Sequence, residues 1–501
     1  MTKKNILINL LWTFLYALLT LFFVLHHEIW ADEAQVWLIV KNLSIPEMLK
    51  HLVNEGHPCF FYLLVYPLAK LNFSIFSMQI LCWLSCAASV FLLLTFSPFN
   101  RFSKTAIILS SGFFYFLPVV ARSYSVLPLL VFAAAILYQK AKEKPNLYAI
   151  PYALILAFIS NTHVIMFVFV FLLGCYFVYD NFVKEKNISK QTVSFCVIVG
   201  IALLAVVLQL LGTFSSNAAI GFSVDNIFVE TFKTLSIFFL NSVGLVYKSV
   251  YNPIQFTPIA IIGAIAIFCL FCLCLVQLAM NNKRMFFLAF CSIGFQFFIY
   301  ICSYKAMLYQ TRIFGAYLIL IFCFWTVCSQ TEIQKNLKLF SKKALNIVLG
   351  IFFAMTIVCG IHAALLDVFY NYSSAGETAE FLKNNTEPDA VIIPNFIAFP
   401  LAIYEKLPQK RFYDVSNNRY LTYVIWKDNG FYSDEYFDAL VRKNVREKKF
   451  KHTYIIVSSL LNLSHFEKNM PQRYELLYTS PPAIATGEAF RIYKYKKPAK
   501  D

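Results

Sequence analysis

The chain has 501 residues, of which 59% are hydrophobic and only 14% are charged. A soluble protein of this length carries about 25% charged residues, so the composition excludes an ordinary soluble protein. The net charge of +16 does not indicate nucleic-acid binding, because most Lys and Arg residues before the C-terminal region lie in short loops between apolar runs. In such loops they set membrane topology and attract lipid headgroups.

Long apolar runs predict a polytopic α-helical membrane protein. A helix of about 20 apolar residues crosses a bilayer. The sequence predicts about eleven such crossings, at residues 6–25, 75–96, 105–121, 124–139, 147–161, 163–179, 192–212, 255–280, 285–303, 312–329 and 344–366. The first run lacks a small-residue cleavage site after it, so we expect it to remain as an anchor.

The distribution of Lys and Arg predicts the orientation. With the N-terminus in the cytoplasm, every predicted cytoplasmic loop carries Lys or Arg, as the positive-inside rule requires; these loops are 100–104, 139–146, 180–191, 281–284 and 330–343. The loop after the first helix and the C-terminal region are then both extracytoplasmic. The N-terminus and the C-terminal region lie on opposite sides only if the number of crossings is odd, as it is for eleven. The apolar segment 57–71, which at about 15 residues is short for a span, must therefore not cross the bilayer.

The first outer loop, residues 26–58, is a polar insert between the first apolar helix and the remaining apolar segments. Asp32 and Glu33 form an acidic pair that opens an amphipathic run. Ser44 and Glu47 have the spacing of a capping box, which predicts that a second short helix begins there. We therefore expect two short amphipathic helices lying along the outer membrane surface, with their apolar faces in the interface.

The composition changes near the C-terminus. The segment 214–252 is predicted to be another outer loop, and its apolar part, 235–246, is expected to be interfacial. From residue 371 the pattern is that of a soluble α/β domain, with a helix at 378–383 and strands at 390–394, 454–458, 474–478 and 490–495. The sequence thus predicts a transmembrane domain, 1–370, and an extracytoplasmic α/β domain, 371–501.

The acidic pair has a structural and a functional interpretation. Acidic residues stabilise a helix N-terminus by accepting hydrogen bonds from free N–H groups. Adjacent helical residues, however, point about 100° apart. One carboxylate could then accept a proton from a hydroxyl group, while its neighbour holds a nearby cation or helix.

Further candidate binding residues lie on the same predicted outer surface. They are polar side chains at the end of the first loop or at the outer ends of spans: His57, Arg122, Tyr124, Asn161, His163, Tyr309 and Arg312. The planar guanidinium of Arg suits phosphate oxygens. The structural alternative for each Arg is a snorkelling anchor at the membrane border. A lone His beside a proline is likewise usually structural. No Cys/His cluster with the spacing of a metal site occurs, since the 13 cysteines lie mostly in apolar runs.

Several motifs resemble those of GT-C-fold glycosyltransferases. WADEA around Asp32, then GHP at His57 and the aromatic run that begins at Phe60, resemble the first-loop signature of this group. Protein O-mannosyltransferases and lipid A aminoarabinose transferases belong to it. The ARSY turn at Arg122 and the NTH turn at His163 are also similar to those of bacterial members. Many relatives have two prolines where this chain has His57-Pro58.

The resemblance implies a GT-C-like fold and sugar transfer from a polyprenyl-phosphate donor by inversion. Asp32 would be the general base and Glu33 its supporting partner, with Arg122 and Arg312 near the donor phosphate. The acceptor could be a glycan, a lipid or a protein. We expect a multi-pass cell-membrane protein without a cofactor. A divalent metal at Asp32 and Glu33 is possible but not favoured, because no third ligand stands out.

Three other functions would leave different signals in the sequence. A transporter or flippase for lipids or lipid-linked sugars usually carries ionisable residues deep in its spans, and none of the predicted spans has an internal Asp or Glu. A polysaccharide polymerase or ligase would concentrate basic and histidine residues in a large mid-chain loop. A receptor role for the C-terminal domain would rest on its excess of Lys and Arg, which also fits a solvated face.

Overall fold

The computed structural model describes residues 2–53, 55–185, 189–216, 227–244, 258–304, 310–329, 342–426, 433–459 and 472–496. Its helices are α1 (Lys3–His26), α2 (Ala31–Asn42), α3 (Ile45–Leu52), α4 (Phe60–Lys70), α5 (Phe76–Phe96), α6 (Arg101–Leu109), α7 (Leu117–Val119), α8 (Leu127–Glu143), α9 (Pro145–Thr162), α10 (Phe167–Glu185), α11 (Lys190–Ser216), α12 (Ile227–Val243), α13 (Pro258–Asn281), α14 (Lys283–Ile299), α15 (Gln310–Ser329), α16 (Lys342–Ala354), α17 (Ile357–Phe369), α18 (Ala375–Asn385), α19 (Leu401–Lys406) and α20 (Asp434–Glu447).

Within these residues, nine helical segments are long and apolar enough to cross a membrane. A tenth crossing results if α6 and the segment Gly112–Val119, which meet at a 55° bend, form one span. The bend lies beside a π-helical turn, Gly112–Phe116, which is a common cause of kinks. The predicted multi-pass membrane fold is confirmed. The remaining predicted crossing, 147–161, falls on α9, which is not among the nine.

The segment that was expected not to cross contains the short apolar helix α4. A helix of 11 residues is about 16 Å long. Because the hydrocarbon core of a bilayer is about 30 Å thick, α4 cannot span it.

The first loop forms the two predicted helices, α2 and α3. The backbone N–H and the Oγ of Ser44 both donate to Glu47 Oε2, at 2.9 and 2.6 Å, so the capping box is present. The expectation that both helices lie along the membrane surface is wrong for α2, because nine of its twelve residues are buried inside the protein. It packs against α4 and against α19 of the C-terminal domain.

Helix α12 lies within the predicted outer loop 214–252, although residues 217–226 and 245–257 of the chain are outside the described part. At 17 residues it is not among the nine membrane-crossing segments. Whether it is interfacial, as the sequence predicts, stays a prediction.

The C-terminal residues form a six-stranded mixed sheet in the order β3-β2-β1-β4-β6-β5, which confirms the predicted α/β fold class. Its strands are β1 (Val391–Pro394), β2 (Arg411–Asp414), β3 (Arg419–Tyr420), β4 (Thr453–Ser458), β5 (Tyr474–Thr479) and β6 (Phe490–Tyr495). Strand β1 is parallel to β2 and β4, whereas β6 is antiparallel to β4 and β5. Strands β2 and β3 and helices α19 and α20 were not predicted.

The C-terminal domain shares a hydrophobic core with the first loop. Buried side chains of α2 and α3, among them Trp37 and Leu52, form one cluster with Ile392, Ile456 and Ile492 of the sheet. A pair of hydrogen bonds joins the same two regions. The Gln35 amide donates to Val424 O and accepts from Val424 N–H, both at 2.9 Å. The C-terminal domain therefore fixes the position of the first loop.

Candidate active site at the first loop

Asp32 lies in the first turn of α2 and forms an ion pair with Arg122. Its Oδ2 is 2.5 Å from Arg122 Nη1, and the two side chains are 27% and 12% exposed. Arg122 precedes a short 3₁₀ turn, Ser123–Val126, that leads into α8. The pair therefore joins the first loop to a turn between spans, and the Asp32 carboxylate keeps access to solvent.

Glu33 points in another direction and is fully buried. Its Oε1 accepts the backbone N–H of Ala121 at 2.5 Å, and its Oε2 accepts that of Trp30 at 3.2 Å. The angle of about 100° between adjacent helical residues explains why one acid faces inward and the other outward. Because Ala121 precedes Arg122, Glu33 also fixes the backbone that carries the partner of Asp32.

His27 connects Glu33 to the last transmembrane helix. Its Nε2 is 3.3 Å from Glu33 Oε2, and its Nδ1 is 2.8 Å from Asp367 Oδ2. Burial disfavours the charged ring, but the Asp367 and Glu33 carboxylates outweigh this effect and raise the pKa of His27 to about 10. The ring is therefore an imidazolium at neutral pH, and both nitrogens donate.

Asp367 bears on the sequence argument against a transporter, which was that none of the predicted spans has an internal Asp or Glu. It lies one residue beyond the predicted end of the last span, but the structure places it within α17, which ends at Phe369. Its Oδ2 also accepts the Tyr115 hydroxyl at 2.7 Å. The observed spans thus include a buried acid that the predicted spans did not. Because this acid is paired with His27, it stabilises the first loop and gives no evidence of ion coupling.

Three of the predicted binding residues lie side by side next to Arg122. The rings of His57 and His163 are 5.2 Å apart, and the Tyr124 ring is 4.4 Å from that of His163. His163 Nδ1 accepts the N–H of Ile165 at 3.3 Å. Among the described residues, neither His57 Nδ1 nor His163 Nε2 has a hydrogen-bond partner.

Both histidines are held in the neutral form. Burial, and then the charges of Arg122 and Arg312, lower the pKa of His57 to about 3. Burial and the neighbouring His57, Arg312 and Arg122 lower the pKa of His163 well below its usual value. A neutral imidazole keeps one N–H, so each ring can still donate one hydrogen bond.

The other predicted site residues have different surroundings. Arg312 lies near enough to both histidines and to Arg122 to affect their pKa values, and its carbonyl oxygen accepts the Tyr300 hydroxyl at 2.7 Å. Asn161 faces α11, where its side chain donates to Ala202 O and accepts from Gln209. Tyr309 lies outside the described residues.

Sequence reasoning missed His27, Asp367 and Tyr115. Their partners are up to 340 residues away along the chain, so no local pattern marks them. In the part of the chain that the structure describes, no three His, Cys, Asp or Glu side chains converge as metal ligands. The preference for metal-independent catalysis stays a prediction.

Comparison with known proteins identifies the fold. No protein-family model and no curated protein matches the chain. A solved structure, ArnT from Cupriavidus metallidurans bound to undecaprenyl phosphate, is similar over 96% of this chain and 98% of that one, with a TM-score of 0.51 and 10% sequence identity. A likeness at this identity shows the fold, and it confirms the GT-C-like architecture expected from the first-loop motifs.

The two acids should differ in their effect on stability. Glu33→Gln replaces one of two buried acceptor oxygens with an NH₂ group that faces N–H donors, and removing one partner of a buried charge costs on the order of 3–5 kcal/mol. Asp32→Asn changes a partly exposed group, so we expect a smaller loss. Thermal unfolding in detergent, followed by tryptophan fluorescence, should give a lower melting temperature for Glu33→Gln than for Asp32→Asn. Equal melting temperatures would contradict the structural role of Glu33.

Proposed function

We propose that this protein is a membrane glycosyltransferase that moves a sugar from a polyprenyl-phosphate donor to an acceptor, with Asp32 as the general base. The observation that carries the proposal is the ion pair of Asp32 with Arg122, in a chain that has the fold of ArnT. That neighbour was solved with undecaprenyl phosphate bound. Arg122, the partner of Asp32, lies near the two neutral histidines, which suits a phosphate-bearing donor.

Asp32 has the properties required of a base in a single displacement. Its carboxylate is partly exposed, whereas that of Glu33 is buried and occupied by N–H donors. As the acceptor oxygen bonds to the anomeric carbon, its proton passes to Asp32 and the bond from that carbon to the phosphate oxygen breaks. One base acting on one displacement gives inversion.

The leaving group is a polyprenyl phosphate, which gains negative charge in the transition state. Arg122 and Arg312 would stabilise this charge, and planar guanidinium groups suit phosphate oxygens. His57 and His163 would contribute hydrogen bonds without adding charge, because both are neutral. These cations replace an acid that protonates the leaving group.

We further propose that the N-terminus is cytoplasmic, and that the first loop and the C-terminal domain are extracytoplasmic. The basic loops support this orientation. Lys142 and Arg284 lie together at Asp180, in loops that the positive-inside rule assigns to the cytoplasm.

The test of the base role is Asp32→Asn, which retains the size of the side chain but cannot accept the proton. We expect the rate of transfer to fall at least about 100-fold. The measurement is mass spectrometry of cell-envelope glycans and lipid-linked sugars in a strain that lacks the gene and carries each variant. Asp389→Asn changes an exposed acid of the C-terminal domain and serves as the control. Transfer at the control level by Asp32→Asn would rule out this base, whereas lipid-linked sugar that crosses the membrane without transfer would favour a flippase.

The donor site is tested separately by Arg312→Ala. Loss of a guanidinium contact to a phosphate should weaken binding by about 1.5–3 kcal/mol, which corresponds to roughly 10-fold to 150-fold in Kd. Titration of the purified protein with undecaprenyl phosphate, followed by native mass spectrometry, measures this change. The matched control is Arg101→Ala. Arg101 begins α6, at the end of the bent segment that is farther along the chain from Arg122. Equal weakening in both variants would mean that the effect is not specific to this site.

The orientation predicts which tags are accessible from outside the cell. In spheroplasts, an antibody should reach an epitope tag at the C-terminus without permeabilisation, because the domain is expected outside. A tag at the N-terminus should become accessible only after permeabilisation. The reverse pattern would put Asp32 on the cytoplasmic side and contradict the proposed donor.

A further inference from the structure

Glu488 of the C-terminal domain reaches the N-terminus of the helix that carries Asp32. It lies in the loop before β6 and is fully buried. Its Oε1 accepts the backbone N–H of Ala31 at 3.1 Å, and its Oε2 accepts the hydroxyl of Ser373 at 2.8 Å. Ala31 immediately precedes Asp32, so this contact acts one residue away from the candidate base.

The loop that carries Glu488 is firmly attached to the end of the transmembrane domain. Its backbone makes three hydrogen bonds of 2.9 Å to the segment that follows α17: Ile484 N–H to Asn371 O, Ala485 N–H to Tyr372 O, and Ser374 N–H to Glu488 O. Tyr372 in turn packs against the ring of His27, with 4.3 Å between the ring centroids. The same short segment therefore contacts both the Glu488 loop and the first loop.

Gly487 sets the direction of this loop. Its φ of +84° is a conformation that other residues rarely adopt, and a Cβ at this position would lie 2.4 Å from the ring of Phe399. The chain can therefore turn here and present Glu488 to α2 only because residue 487 is glycine.

Two backbone N–H groups at the start of α2 are bound by acids, and neither of these acids is Asp32. Glu33 accepts the N–H of Trp30, and Glu488 accepts that of Ala31. Both interactions satisfy donors that a helix N-terminus leaves free. The Asp32 carboxylate is thereby left to pair with Arg122.

We propose that Glu488 is a positioning residue: from the C-terminal domain it anchors the N-terminus of α2 and holds Asp32 at its place beside Arg122. The inference rests on the proposed function, in which Asp32 is the base. It makes the C-terminal domain part of the catalytic unit. Its side chain completes the first turn of the catalytic helix, although it contacts no reacting atom.

The contact requires an acceptor atom and does not require a negative charge. Burial, with a smaller contribution from the Asp32 and Glu33 carboxylates, raises the pKa of Glu488 to about 8 against the hydrogen bonds from Ser373 and Ala31. At pH 7 most of Glu488 is thus a neutral acid that still accepts the Ala31 N–H. Glutamine has the same shape and the same carbonyl acceptor, whereas leucine has neither acceptor nor donor.

The experiment compares Glu488→Leu and Glu488→Gln with the wild type, with Asp32→Asn, and with the control Glu475→Leu, which alters a half-exposed acid on β5 of the same domain. The donor probe is a lipid extract from a strain lacking the gene, titrated into membranes that contain equal amounts of each variant. The transferred sugar is quantified by mass spectrometry. Binding of undecaprenyl phosphate to each purified variant shows whether the site remains folded.

We expect the maximal rate of Glu488→Leu to fall on the order of 100-fold, as for a catalytic group displaced by about 1 Å. The donor amount that gives half the maximal rate, and the binding of undecaprenyl phosphate, should stay within about twofold of wild type. Glu488→Gln should restore most of the rate, and Glu475→Leu should behave as wild type.

Two results would overturn the inference. Wild-type transfer by Glu488→Leu would do so, and so would a joint loss of rate and undecaprenyl phosphate binding, which indicates a general structural role. Either can occur while Asp32→Asn is inactive, and then the proposed function stands. Transfer by Asp32→Asn would instead remove the proposed function, whatever the Glu488 variants do.

Discussion

The buried carboxylate of Glu33 holds the site together. Its two oxygens accept N–H groups from the start of α2 and from the turn between α7 and α8, and His27 contacts one of them from the end of α1. A buried charge is costly unless it is paired and hydrogen-bonded. These partners satisfy the carboxylate only when all three chain segments meet in one arrangement. The position of Asp32 relative to Arg122 follows from that arrangement, because Asp32 directly precedes Glu33 and Arg122 directly follows Ala121, whose N–H Glu33 accepts.

Charge balance explains why this cluster includes an imidazolium. Glu33 and Asp367 flank His27 on its two ring nitrogens, so one positive ring lies between two negative groups. A buried ion pair is often no more stable than a well-packed apolar cluster, and in some proteins it contributes to a unique geometry instead. Here the ions connect the last transmembrane helix to the first loop. The hydrophobic core shared by α2, α3 and the C-terminal sheet buries the apolar side chains of α2.

The sequence predicted the features that arise from local patterns and missed those that depend on distant contacts. Apolar runs gave the membrane-crossing helices, and the Ser44–Glu47 spacing gave the start of α3, because these signals lie within one segment. The burial of α2 was not predicted, since its apolar residues also fit a helix in the membrane interface. Glu488 and Ala31 are 457 residues apart, and Asp367 and His27 are 340 apart. Nothing in either segment alone identifies the other as its partner.

The two adjacent acids, for which the sequence left a structural and a functional interpretation open, have different partners in the structure. If both acids served only to stabilise the helix N-terminus, both carboxylates would bind backbone N–H groups. Glu33 does so, and Glu488 supplies a second acceptor from another domain, whereas the Asp32 carboxylate is paired with Arg122 at 2.5 Å. Helix capping therefore accounts for the contacts of the Glu33 carboxylate but not for the ion pair of Asp32 with Arg122. This partly exposed carboxylate, paired with a guanidinium and not with the helix backbone, is the observation from which we propose Asp32 as the general base.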